Sequence, residues 1–419
     1  MVHGEAWTLK EFFVYPNEYI YWSIQIVMYP FMTGLVAGAF VLSSLYHVFG
    51  VKQLKDIARF SLVFSLALLP VAMMPLMLHL QQPLRGIYVM MTPHFTSAIA
   101  AFGIVFTTYG LIVASEIWFV YRQFIVETVL ELRGKQQRNA VESLRLTLYS
   151  LLSMGAMDLS PEALHKDERA VGILAGIGIP VACFLHGYAG FIFGSVKANA
   201  LWMTPLMPVI FICSAVVSGI ALCIFTYIIT MEIRKLLSTW KKKKKSYMKL
   251  PSIEELKSAE IQVVTITVKY LVMFLVLAIT LELLDLIFRT YTAVKSWDIL
   301  RSVIYERDFF KIFILQYGLG NLVPFIIFLR PGLTIRRALV GTLLVLMGVF
   351  MMRWNVVIGG QAFSASFSGF MEYHLPIWPS SIEFFKEGLF GALAVITTPF
   401  VLFYLITRVL PVFGVKDSH

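Results

Sequence analysis

Imidazoles, phenols and amides at the edges of long apolar runs are the residues of this chain with chemistry to offer. The segment 183–208, CFLHGYAGFIFGSVKANALWMTPLMP, sets His186, Tyr188, Lys197, Asn199 and Trp202 where one apolar run closes and the next opens. His79 closes an earlier run, His94 begins the one after it, and Tyr21, Trp22 and Gln25 enter the first. Polar groups at membrane depth are expensive to place, so their presence points to function. Helices packed as a bundle can bring these groups around one pocket near one membrane face. A quinone suits such a pocket: its carbonyls need hydrogen-bond donors, its ring needs apolar walls, and its redox chemistry needs a protonatable group in touch with water. The expected ring contacts are His79, His186 and Tyr188, supported by Gln25, His94, Tyr21 and Trp202.

A second polar set lies further along. Glu282, Asp285 and Arg289 stand at i, i+3 and i+7, on one face of a helix. Gln316, Asn321, Arg353 and Asn355 are the expected counterparts on neighbouring spans. An isolated Asp within a span costs about 2.5–3.5 kcal/mol, so these groups must be paired or wetted. Glu282, Asp285, Arg289 and Arg353 fit a proton-transfer path; a partner-docking surface and an ion-pair lock between helices are the other readings. Lys269 and Glu116 are candidates to extend the path toward the opposite face.

The elements that carry these residues follow from composition. Of 419 residues 58% are hydrophobic and 14% charged, with a mean hydropathy of +0.77, which excludes a water-soluble globular domain. Apolar runs of about 20 residues, each enough to cross the hydrocarbon core as a helix, recur along the chain. No alternating barrel pattern is present. The expected fold is therefore all-α and polytopic, with nine spans: Tyr19–His47, Ile57–His79, His94–Tyr121, Arg169–Ser195, Met203–Ile233, Glu260–Arg289, Phe309–Leu329, Leu333–Met352 and Phe385–Leu410. The stretch Val141–Met157, broken by Glu142 and Arg145, is an interfacial helix or a tenth span. Three regions are expected: an outer segment 1–18, a first helical bundle 19–258 with the pocket and basic loops, and a second bundle 259–419 with the intramembrane charges.

Nine spans place 24 of the 35 Lys and Arg residues on the side of the C-terminus and 10 on the other, with Lys269 inside a span. The positive-inside rule then sets the N-terminus outside and the C-terminus in the cytoplasm of the cell's inner membrane. The run WKKKKKSYMK at 240–249 follows a span end on the basic side, so it is a topology determinant touching anionic lipid rather than a nucleic-acid patch. The net charge of +10 is largely this topological signal. Trp7, Tyr15 and Trp297 are expected in the interfacial aromatic belt, and His47, His165 and His374 to be satisfied by neighbours. Cys183, Cys213 and Cys223 form no CxxC pair, so neither an iron–sulfur centre nor another metal site is expected in this chain. No signal peptide is evident, and no Walker A, GxSxG or HExxH motif occurs.

The stretch His186–Leu222, HGYAGFIFGSVKANALWMTPLMPVIFICSAVVSGIAL, resembles the hallmark region of the NrfD/PsrC family, the membrane subunits of polysulfide-reductase-like respiratory complexes. Tyr21–Phe40 resembles that family's first span and Leu78–Ala98 its turn between the second and third. Beyond about Glu260 the likeness rests on hydropathy. The resemblance implies a quinone module without metal or haem, menaquinone being the expected substrate in anaerobic respiration. It further implies electron exchange with a ferredoxin-like iron–sulfur subunit docked on the outer face, with a multihaem cytochrome c or another catalytic subunit beyond. Where the family turn commonly has DLGRP, this chain has HLQQP, so His79 stands at the acid's position and the carboxylate is missing. The added loop and helix resemble the longer, DsrP-like branch. A haem b cytochrome, which needs facing histidines at two depths, and a secondary transporter, which places charges near the midplane, stay open as alternatives.

Overall fold

A computed structural model of the chain describes residues 19–94, 96–97, 100–196, 199, 201–244, 253–292, 300–362 and 370–413. The outer segment 1–18, Lys197 and Trp297 lie outside the described residues. The first helix, α1 (Ile24–His47), begins where the Ser23 hydroxyl accepts the Gln25 amide N–H, a standard N-cap. Its sequence is apolar on every side, and 94% of its most apolar stretch is buried within the protein. A helix with no polar face belongs at the centre of a bundle.

The helices that follow it in the chain are α2 (Lys55–Leu68), α3 (Met74–His79), α4 (Ala100–Gly134), α5 (Ala140–Leu152), α6 (Pro161–Gly194) and α7 (Met207–Lys244). Further along come α8 (Ile253–Thr292), α9 (Phe310–Leu329), α10 (Ile335–Val357), α11 (Ile382–Glu387) and α12 (Leu389–Val409). Eight of these, α1, α4, α6 to α10 and α12, are long and apolar enough to cross a membrane. The protein is an all-α, multi-pass membrane protein.

The remaining expected span, Ile57–His79, is not one helix. The chain leaves helical geometry over residues 69–73, around Pro70, which has no N–H to donate to the helical ladder. The 13-residue α5 reaches only about 20 Å at 1.5 Å per residue, too short to cross. It starts in a capping box, Asn139 accepting the Glu142 N–H while Glu142 accepts the Asn139 N–H. Helices α4 and α6 run to 35 and 34 residues, longer than the spans expected for them.

Small residues let helices meet backbone to backbone. At the α1–α7 crossing, a Cβ on Gly38 would lie 2.2 Å from the Ala215 carbonyl oxygen. At the α9–α10 crossing, a Cβ on Gly320 would lie 2.2 Å from Gly348 Cα. The apolar stretch of α7 is 83% buried, while the other six crossing helices bury between 17% and 39% of theirs and present the rest outward.

Helix α12 packs on α1, α2 and α3, and α11 packs on α3. Phe400 and Phe403 of α12 meet Phe64 of α2 at ring-centroid distances of 5.7 and 5.1 Å. The N-terminal entry is tied to the same region, since the Ile20 N–H donates to the Glu372 carbonyl at 2.8 Å. Residues from both ends of the chain thus meet above α3.

Candidate functional site

A cleft of about 1230 Å³ opens where these ends meet, lined among others by Tyr21, Trp22, Ser23, His79, Arg85 and Glu387. His79 is the last residue of the short helix α3, so the break at Pro70 sets its position. Its Nδ1 lies 2.9 Å from Glu387 Oε2, and the Ser23 hydroxyl lies 3.3 Å from the same nitrogen. The side chains of His79 and Glu387 are 24% and 29% exposed, so the pair is open to the cleft. Burial pushes the Glu387 carboxyl up, but hydrogen bonds from His79 and Ser23 and the charges of His79 and Lys386 outweigh it and hold the group below the usual carboxylate range.

Trp22 forms an apolar wall, its ring stacked on Trp202 at 5.4 Å and 17°. Trp202 itself donates from Nε1 to the Val356 carbonyl at 2.6 Å, beside Asn199, which donates to the Gly360 carbonyl at 2.6 Å. That approach leaves no room for a side chain at Gly360, where a Cβ would lie 2.0 Å from Trp202 Nε1. Gln25 is fully buried one step behind the cleft and donates to the Lys386 carbonyl at 2.6 Å. Tyr21 is 74% exposed at the rim.

The other expected members lie elsewhere. His94 is exposed and its Nδ1 sits 2.7 Å from the Thr96 hydroxyl. Tyr188 packs among Phe102, Phe184 and Phe191. His186 is fully buried, eight residues before the end of α6, about 12 Å down the helix axis. The single pocket expected around three imidazoles is therefore divided, with His79, Tyr21 and, from behind, Gln25 and Trp202 at the cleft. His374, expected to be merely satisfied, lines the cleft and packs against Tyr19 at 5.6 Å between ring centroids.

His186 belongs to a second polar network. Its Nδ1 lies 3.3 Å from Thr33 Oγ1 and its Nε2 2.9 Å from an Arg353 nitrogen. The Thr33 hydroxyl donates to the Tyr29 carbonyl, so toward His186 it accepts, which places the imidazole proton on Nδ1. Nε2 then accepts from Arg353, and the ring is neutral. Arg353, fully buried, also donates to Ser214 Oγ at 2.7 Å and stands 3.8 Å over the Phe211 ring. No carboxylate makes an ion pair with it among the described residues.

Glu282 accepts from Gln316 at 2.9 Å, and Gln316 accepts from Asn355 at 2.8 Å. Asp285 accepts from Thr204 Oγ1 at 2.6 Å and from Arg289 Nε at 2.8 Å. Glu282, Asp285, Arg289, Gln316 and Asn355 line a cavity of about 110 Å³ between α7, α8, α9 and α10. A water needs about 10–15 Å³ of such space and two to four polar partners, so the cavity can hold several. The face shared by Glu282, Asp285 and Arg289 meets Gln316 and Asn355 as expected, whereas Arg353 turns to His186.

Sequence reasoning missed Glu387, which falls inside the expected span Phe385–Leu410. The crossing helix begins only at Leu389, after an extended Gly388. A Cβ there would lie 2.4 Å from the Phe384 carbonyl oxygen and 2.5 Å from that of Pro376, so glycine is required for the break. An acid followed by glycine at the mouth of an apolar run was the available signal.

Fold and site together define a multi-pass helical membrane protein with an imidazole–carboxylate pair in an open cleft and a second polar network buried between helices. Residues 15–365 match the family model described as "Polysulphide reductase, NrfD", and the chain belongs to that family. It is 31% identical over 213 residues to a selenate reductase subunit of Mesobacillus selenatarsenatis, covering 50% of this chain and 49% of that protein. It is 27% identical over 209 residues to a putative dimethyl sulfoxide reductase membrane subunit of Halobacterium salinarum, covering 50% and 43%. The matches span about half the length of these relatives or less.

Proposed function

We propose that this chain is the quinone-reactive membrane subunit of a reductase complex, exchanging electrons with an iron–sulfur partner seated over the cleft. The open cleft that presents His79 carries this reading. It offers an imidazole in contact with water, aromatic and aliphatic walls from Trp22, Ile20 and Val89, and polar groups at both rims, as a quinone ring requires. Family membership and the names of the two relatives support a membrane subunit serving a catalytic partner. A multihaem cytochrome c or another catalytic subunit would complete the electron path. The charge asymmetry supports an inner-membrane orientation with the N-terminus and the cleft outside, and with the basic cytoplasmic loops against anionic lipid. Menaquinone is the substrate we assign.

His79 Nε2 has no protein hydrogen bond among the described residues, so it is available to a substrate hydroxyl or carbonyl. In quinol oxidation it takes a proton; in quinone reduction it gives one. Glu282, Asp285 and Arg289, around their cavity, with Arg353 and the neutral His186 beyond, form the proton-transfer set of this proposal.

The test is titration of the purified complex with a fluorescent quinol-site inhibitor. Saturable binding is expected, weakened about tenfold by His79→Ala through loss of one hydrogen bond worth about 1.4 kcal/mol. His186→Ala, remote from the cleft, should change the Kd less than about threefold. Absence of saturable binding, or equal affinity in His79→Ala, overturns the assignment.

A further inference from the structure

We propose that Glu387 is the positioning residue that makes His79 a proton acceptor, completing at the cleft a histidine–carboxylate dyad drawn from distant parts of the chain. This inference rests on the cleft being the quinone site. Glu387 lies beyond the matched residues 15–365. The geometry, however, puts its Oε2 2.9 Å from His79 Nδ1, and both side chains face the cleft.

The carboxylate is held in place from several directions. Glu387 ends α11, whose N-terminus is capped by the Ser381 hydroxyl. The preceding carbonyl, of Lys386, accepts from Gln25 in α1 at 2.6 Å. The Leu389 N–H donates to the Pro376 carbonyl at 2.9 Å, and Gly388 fits tightly between the Pro376 and Phe384 carbonyls. Ser23, fixed as the N-cap of α1, hydrogen-bonds the carboxylate as well. Glu387 therefore reaches His79 from a fixed backbone.

Its effect on the imidazole follows from charge and tautomer. A carboxylate accepting from Nδ1–H fixes the proton on that nitrogen and leaves the Nε2 lone pair for the substrate. It also stabilises the imidazolium formed when Nε2 takes a proton. In quinol oxidation one substrate O–H bond breaks and its proton goes to Nε2, the second O–H proton goes to cleft water, and the two electrons pass one at a time to two oxidised iron–sulfur centres of the partner. The imidazolium then returns its proton to water. The other charged and titratable groups around the cleft are Tyr21, Arg85, Tyr373, His374, Glu383 and Lys386; of these, Glu383 adds a further negative charge while Arg85 and Lys386 oppose it. Glu387 is the carboxylate in direct contact with the ring.

The experiment measures quinol oxidation by the assembled complex as a function of pH, beside inhibitor titration, in wild type, Glu387→Gln and Glu387→Asp. Glu387→Gln removes the charge and keeps a hydrogen-bond acceptor. Its inhibitor Kd should stay within about twofold, its acid limb should move about one pH unit lower, and its plateau rate should fall about tenfold. Glu387→Asp keeps the charge but withdraws it by one methylene, so its limb should stay near wild type while its rate falls. A wild-type profile in either variant overturns the role of Glu387, and if Glu387→Gln fails to assemble, Glu387→Asp alone decides by the same criterion. That outcome leaves the cleft assignment standing if His79→Ala still weakens the inhibitor. Failure of the inhibitor to bind wild type overturns both.

Discussion

Replacing Gly38 with alanine tests whether the α1–α7 crossing holds the protein together. The added methyl would lie 2.2 Å from the Ala215 carbonyl oxygen and 2.8 Å from Gly219 Cα, both backbone atoms that cannot rotate away. Restoring ordinary contact, near 3.5 Å, requires the two helices to part by about 1 Å. Overpacking of this kind costs about 1–3 kcal/mol, and better helix propensity returns up to about 1 kcal/mol, for a net loss of about 2 kcal/mol. For a chain of this size that lowers the apparent unfolding temperature by about 2 °C. The assay is thermal unfolding in mild detergent at one fixed heating rate, since membrane proteins often unfold irreversibly. Gly176→Ala, with nothing within 4 Å of the new methyl, is the matched control and should unfold at or slightly above the wild-type temperature. The packing argument fails if Gly38→Ala is as stable as wild type, or if Gly176→Ala loses as much. Gly34, one turn away, already has His186 of α6 at 3.1 Å from the place its Cβ would occupy, so this stretch of α1 is closely packed on two helices at once.

Three other outcomes are expected. Glu282→Gln with Asp285→Asn should abolish proton translocation by the reconstituted complex while leaving the inhibitor Kd within about twofold, because neither residue lines the large cleft; retained translocation removes them from the path. Arg353→Met should unfold within about 2 °C of wild type and Arg353→Ala markedly lower, because an apolar side chain of similar volume avoids burying a guanidinium that has no ion-paired carboxylate, whereas alanine leaves a cavity; equal losses would contradict this. The folded-state Glu387 carboxyl is held below its unfolded value, so its stabilisation is fully present above about pH 4.3 and is lost as pH falls through the lower folded value. The difference in unfolding temperature between wild type and Glu387→Gln should therefore close on acidification, as a pH series of melts would show.

Hydropathy makes most spans legible because crossing a bilayer demands a long apolar run whatever the packing. Helix phase is not legible. In α1 and α7 every side is apolar, so nothing in the sequence says which residues face which neighbour. His186 stands near the end of an apolar run, which suggests an outer edge, yet eight further helical residues carry it well below that end and against Arg353. His79 is readable because its helix stops immediately after it. The face of Glu282, Asp285 and Arg289 is readable from its spacing, and Gln316 and Asn355 meet it as expected. Glu387 is not, since its significance comes entirely from a residue 308 positions away.

That separation has a consequence for biogenesis. At a synthesis rate of about 5–20 residues per second, Glu387 emerges roughly 15–60 s after His79. During that interval α4 to α10 must enter the bilayer, and His79 has only water and Ser23 to bond. Glu387 directly precedes α12, which packs on α2, so the dyad can close only once the chain has been made through α11. A nascent or truncated chain holding every residue up to α10 would carry the imidazole without its counter-charge. Late closure thus leaves the imidazole–carboxylate contact to form only once nearly all of the chain has been made.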